Sequence, residues 1–129
     1  MEAKDLMIGD WVFNTLNGED EPHQMKPHEF TMDGLIYSAR PIPLTPEILE
    51  KNGFRYTNNH TLKGADTYVL HLEQRGFDYT ITIKLNDYFA LDSLDDRVYR
   101  LAEISTGMIY VHQLQHCLRL VRIEKEIVL

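Results

Sequence analysis

Between Thr67 and Leu85 the chain reads TYVLHLEQRGFDYTITIKL, and its apolar residues recur at every second position. Tyr68, Leu70 and Leu72 share one side. After Arg75-Gly76, Phe77, Tyr79, Ile81, Ile83 and Leu85 alternate with Asp78, Thr80, Thr82 and Lys84. Successive side chains of a strand point to opposite faces, so this period predicts two half-buried antiparallel strands joined by a tight turn. A helix would scatter the same residues around its whole circumference. The segments NDYFAL and RVYRLAEI carry the pattern on into a meander of about four strands.

The flanking segments add smaller pieces. DLMIGDWVFNTL contains a Gly9-Asp10 turn feeding a short strand, and NGEDEP, with Asn17-Gly18 and Pro22, is a loop between strands. EFTM, Asp33-Gly34 and LIYSA form a second hairpin pattern, so a small curled or barrel-like sheet is expected at the N-terminus. In PIPLTPEILEKNGF, Pro41 and Pro43 favour extended backbone. Thr45 is a suitable N-cap, Pro46 fits the first helical position, and Glu47 lies in the first turn. Ile48 and Leu49 supply an apolar side, Gly53 a left-handed stop and Phe54 a residue to pack back, which predicts a short helix over 46–52. A longer helix follows Ser105-Thr106-Gly107, and EKEIVL has the composition of a last short strand. The fold class read from these elements is α+β: antiparallel sheet, one short middle helix and one longer helix near the C-terminus. With no repeat, low-complexity tract or Gly/Ser/Pro-rich linker, residues 1–129 read as a single domain.

Charge and composition narrow the functional classes. The chain carries 20 acids against 13 lysines and arginines, a formal net charge of −7. Phosphate backbones are bound by clustered cations, and no basic run is evident, so nucleic acid is not an expected partner. The acids gather at Glu19-Asp20-Glu21 and around Asp92, Asp95 and Asp96, where solvated turns are the ordinary reading. A single face made of both groups would instead mimic a nucleic-acid backbone. No apolar run approaches a membrane span and the first residues lack the apolar core of a signal peptide, so a cytoplasmic protein is expected. The lone Cys117 leaves no internal disulfide to form.

The stretch YVHQLQHCLRL, Tyr110 to Leu120, holds the residues closest to chemistry. At 100° per residue from Val111, Val111, Leu114, Cys117, Leu118 and Val121 fall within an arc of about 120°, the width of a core-facing stripe. His112, His116 and Arg119 cluster on the other side, together with Ile123, on a face expected to point away from the core. Two histidines four residues apart on a helix have the spacing of HExxH zinc sites. Here Gln113 stands where that motif has its glutamate, and an amide cannot take a proton from metal-bound water. A catalytic zinc needs about three protein ligands, and no spacing nominates His23, His28, His60 or His71 as the third. Arg119 on the same face would repel a dication. The expected role of His112, His116 and Arg119 is therefore a polar binding surface, with His112 and His116 only weak metal candidates and no cofactor implied.

Other constellations are incomplete. Cys117 and His116 are adjacent in a helix and diverge by about 100°. Cys117 also belongs to the apolar stripe, where a buried thiol is an inert small hydrophobe. LDSLDDR lacks the alternation and closing glutamate of an EF-hand. No phosphate-cradling glycine loop, nucleophile elbow or dinucleotide fingerprint occurs. Trp11 and the tyrosines at strand positions are expected to pack in the core or across strands.

LMIGDWV, PIPLTPEILEKNGF and YVHQLQHCLRL with IEKEIVL together resemble a group of small uncharacterised proteins of Bacteroidales bacteria and their prophages and mobile elements. The final helix is similar to a recurrent YVHQLQN helix of that group, with His116 where many such relatives carry asparagine. The resemblance covers both ends and the middle helix, while 55–109 matches by hairpin pattern alone. It implies no activity, cofactor or catalytic residue. What it implies is an accessory protein of a mobile element or its host, acting on an unknown protein partner by binding without catalysis. Two alternatives stand beside this expectation: a metal-dependent enzyme using His112 and His116, and an acidic nucleic-acid-mimic inhibitor. Homodimerisation through an edge of the central hairpin is also compatible with the composition.

Overall fold

The computed structural model describes residues 7, 9–14, 21–26, 39–57, 67–94, 99–105 and 107–129. Strands β1 (Trp11–Asn14), β2 (Glu21–Gln24) and β3 (Ala39–Pro41) form an open three-stranded antiparallel sheet in the order β2-β1-β3. Helix α1 (Pro46–Lys51) follows, then β4 (Arg55–Thr57), β5 (Thr67–Gln74), β6 (Phe77–Lys84), β7 (Tyr88–Ser93) and β8 (Tyr99–Ile104). These five strands form one antiparallel sheet in sequence order. Helix α2 (Val111–Leu120) comes last. The α+β reading holds, with sheet predominating. Within the described residues the N-terminal sheet is open and does not close as a barrel. The expected hairpin around Asp33-Gly34 lies outside the described residues.

The period-two stretch forms the hairpin its pattern predicts. Leu70 pairs with Ile81 and Leu72 with Tyr79, so the apolar face of β5 meets that of β6. Ile81, Ile83 and Phe89 are fully buried beneath α2, whose Val111, Leu114 and Leu118 are equally enclosed. The hairpin is interior to the sheet, flanked by β4 and β7, and the outer strands are β4 and β8. The short β4, which the sequence pattern did not mark, pairs with Thr67–Val69 of β5 and with no further residue of that strand. No helix among the described residues is long and apolar enough to cross a membrane.

Both helices end in the same way, and the difference between them is informative. Helix α1 starts as expected, with the Thr45 hydroxyl accepting from the Ile48 N–H at 3.3 Å. It stops at Gly53 (φ +90°), where the Phe54 N–H reaches the Leu49 carbonyl and the Gly53 N–H reaches that of Glu50. In α2 the Ile123 N–H reaches the Leu118 carbonyl at 2.8 Å and the Arg122 N–H that of Arg119 at 3.1 Å. That is the same Schellman closure, but with Arg122 at φ +61° in the position where glycine is the usual residue. A side chain in the left-handed region costs about 1 kcal/mol. Arg122→Gly is therefore expected to leave the fold intact and to raise stability by up to about 1 kcal/mol, read as a small rise in Tm. This turn also corrects the placement of Ile123. The chain leaves helical geometry at Val121, and Ile123 folds back into the core at 6% exposure.

The C-terminal segment departs from expectation. Glu124–Leu129 forms no strand. Its backbone groups are satisfied by side chains instead of a ladder. The Asn52 amide donates to the Val128 carbonyl and accepts from the Val128 N–H, both at 2.8 Å. The Trp11 indole donates to the Ile127 carbonyl at 2.7 Å. Lys51 donates to the Leu129 carbonyl. The tail so ties α1 to β1, with Ile127 buried between them.

Candidate functional site

Helix α2 is closed off on two sides. Its predicted stripe faces the five-stranded sheet, with Cys117 buried and its Sγ 4.0 Å from the Met108 Sδ. The opposite face was expected to meet solvent, and here the structure corrects the expectation. His112 is 8% exposed and Gln115 6%, and the N-terminal segment lies across Gln115. Among α2 residues, Gln115 makes the central link. Its Oε1 accepts from the Trp11 N–H at 2.9 Å and its Nε2 donates to the Gly9 carbonyl at 2.9 Å, across 104 and 106 residues of chain.

Asp10 anchors the seam. Its side chain is fully buried, yet both oxygens are satisfied. Oδ1 accepts from Arg119 Nη1 at 2.6 Å. Oδ2 meets His116 Nε2 at 2.6 Å and accepts from the Met7 N–H at 2.7 Å. Burial alone would raise the Asp10 pKa. The hydrogen bonds from His116, Arg119 and Met7 outweigh it and hold the carboxyl below its ordinary value. Gly9 takes φ +89°, and a Cβ there would sit 3.2 Å from the Arg119 guanidinium, so the turn needs glycine both for its conformation and for that approach. The Met25 N–H donates to the Asp10 carbonyl at 2.8 Å and the Gly9 N–H to the Met25 carbonyl at 2.7 Å, which binds the turn to the end of β2.

The structure brings His116 and Arg119 together on one carboxylate and sets His112 beside them. The His112 ring lies 5.5 Å from that of His116, edge to face, and stacks on Tyr110 at 5.7 Å. This is a fastening, with the chemistry of one. With His116 Nε2 on Asp10, a metal bridging both imidazoles would have to break the shortest contacts in the seam. Among the described residues no group of three or more His, Cys, Asp and Glu side chains is placed to hold a metal ion. Gln113, in the place of a catalytic glutamate, caps α2 instead, its Oε1 accepting from the Ile109 and Tyr110 N–H groups at 2.8 and 2.9 Å. His71 contacts the Thr80 hydroxyl at 2.9 Å, and His28 and His60 lie outside the described residues. Asp92 on β7 pairs with Arg100 on the outer strand β8 at 2.7 Å. The remainder of the acidic groups, Glu19, Asp20, Asp95 and Asp96, lies outside the described residues.

A second feature lies at the other end of α2. Leu120 to Ile123, at and after the helix end, face the β5–β6 turn and β8. Phe77, Tyr79, Leu101 and Leu120 line a groove of about 520 Å³ there. Phe77 is 54% exposed, Leu101 44% and Leu120 73%. The Leu101 position follows from a register break. Leu91 pairs with Ala102 and Asp92 with Arg100, leaving Leu101 as the extra residue of a bulge, and a bulge re-aims a side chain that strict alternation would send to the opposite face.

Comparison with family models, curated proteins and solved structures found no match.

Of these residues, Asp10, Gln115 and the groove were missed from sequence. Gln115 gave only a weak signal: at about 40° from Val111 it borders the apolar arc on the side of Arg119, where burial depends on what a distant segment lays across it. Asp10 had none beyond its turn, since nothing local distinguishes a solvated turn aspartate from one that a distant helix will cover.

Proposed function

We propose that the protein acts by binding another protein, without catalysis, and that the groove beyond the end of α2 is its contact surface. The observation that carries this reading is the convergence of three large, exposed apolar side chains, Phe77, Leu101 and Leu120, on one concavity. Single exposed apolar residues are ordinary, whereas a contiguous set around a groove is the usual mark of an interaction site. On this reading His116 and Arg119 hold the N-terminal segment against α2 through Asp10, with His112 packed beside His116, and Arg119 also lines the depression next to the groove. The resemblance to Bacteroidales mobile-element proteins supports the setting, an accessory protein of such an element or its host.

A photo-crosslinking amino acid at position 120, expressed in Bacteroidales cells, is expected to yield one discrete protein adduct. The same group at Glu47, exposed on α1, is expected to yield none. Equal adducts from both positions, or none from position 120, would remove the groove as the contact surface.

A further inference from the structure

We infer that the groove takes an acidic, amphipathic segment of the partner protein, with large apolar side chains seated on Phe77, Leu101 and Leu120 and carboxylates meeting the arginines at its rim. This rests on the protein-binding reading above and adds the chemistry of the partner.

Cations outnumber acids around the rim, where the acids are Glu124 and Glu126. In a chain of net charge −7, Arg75, Arg119, Arg122 and Lys125 gather around the groove and the adjoining depression. Arg119 is held by Asp10, and Arg75 meets Glu124 at 2.8 Å in a pair whose side chains are both about two-thirds exposed or more. Arg122 and Lys125 have no ion pair among the described residues. The nearest acids on the hairpin, Glu73 and Asp78, are paired with each other in register. They fall on the face of the sheet opposite Phe77 and Tyr79, so alternation removes negative charge from the groove side.

The two arginines that line the groove also occupy backbone positions that disfavour them. Arg75 has φ +55° and Arg122 +61°. Arg75 is followed by Gly76 at φ +80° between the paired Gln74 and Phe77, a two-residue turn of the kind usually built from Asn-Gly. Arg122 holds the Schellman position at which α1 uses Gly53. Arginine at both sites works against local stability, and strained residues that cluster at one surface point to a use for the side chain. An apolar floor between exposed guanidinium groups is complementary to a segment carrying both apolar and carboxylate side chains. A phosphate backbone fits it less well, since the floor of Phe77, Leu101 and Leu120 offers apolar contact and no polar partner for sugar or phosphate.

The double variant Arg75→Asn with Arg122→Gly tests this without endangering the fold, because each change installs the residue its backbone position favours. A melt of the variant at or above the parent Tm verifies folding. The probe is a fluorescein-labelled amphipathic peptide with glutamates on one side and leucine and phenylalanine on the other, followed by anisotropy. The parent is expected to bind it in the micromolar range. The double variant should bind about tenfold more weakly, since each exposed ion pair contributes a factor of a few. Leu120→Ser should weaken binding to a similar extent, and raised salt should reduce the difference between parent and double variant. Equal or tighter binding of a lysine-for-glutamate peptide would overturn the charge assignment while leaving the groove as a contact surface. Preferential binding of a labelled oligonucleotide would overturn the choice of partner. Failure of every peptide would overturn the inference itself, and the crosslink from position 120 then decides separately whether the groove is used at all.

Discussion

Replacing Asp10 with alanine is expected to lower the unfolding free energy by about 3 kcal/mol, measured as a shift of the urea midpoint at neutral pH. The carboxylate is fully buried and meets two side chains and one backbone N–H. Its removal leaves His116 and Arg119 without the charge that holds them and the Met7 N–H without its acceptor. The loss falls at the lower end of what breaking a buried pair costs, because both side chains keep partial access to water, at 28% and 37% exposure. The effect also has a pH signature. Asp10 has a lower pKa folded than the ordinary 3.8, so its contribution is complete above that value in the unfolded chain. The contribution shrinks as pH falls through about 4 and is gone below the folded pKa. Asp10→Asn imitates the protonated side chain, and the gap between parent and this variant is therefore expected to be full at neutral pH and to close on the acid side. A gap that stays constant from neutral pH down to about pH 3 would mean that the charge on Asp10 does not stabilise the seam.

Legibility in this chain follows the range of the interactions involved. The β5–β6 hairpin and α1 were readable because their determinants are local: alternation over eight residues in each strand, and Thr45, Pro46 and Gly53 at fixed offsets. The apolar stripe of α2 was readable for the same reason. What was not readable was the second face of α2, because its cover comes from residues more than a hundred positions earlier. A helix wheel separates apolar from polar, and His112, His116 and Arg119 are polar, but polar residues can be buried when a distant segment supplies matching groups. The C-terminal segment failed in a similar way. EKEIVL has strand composition, yet Asn52 and Trp11 satisfy its backbone with side chains, and no open strand edge is needed. The groove was invisible for another reason: it forms where the end of α2, the β5–β6 turn and β8 meet, three segments apart in sequence, and a bulge re-aims Leu101.

Two leucines of α2 should separate what the fold needs from what a partner would need. Leu114 is fully buried in the cluster that joins α2 to Ile81, Ile83 and Phe89. Leu114→Ala removes buried methyl groups and leaves a cavity between α2 and the five-stranded sheet, so a loss of about 3–4 kcal/mol is expected in urea or thermal melts. Leu120, six residues on, is 73% exposed. Truncating it removes little surface that folding had buried, and Leu120→Ser is expected to change stability by less than about 0.5 kcal/mol. A small change at Leu120 beside exposed Phe77 and Leu101 would be consistent with the proposed contact surface. If Leu120→Ser instead destabilises the protein as much as Leu114→Ala does, the groove belongs to the core and the binding assignment fails with it.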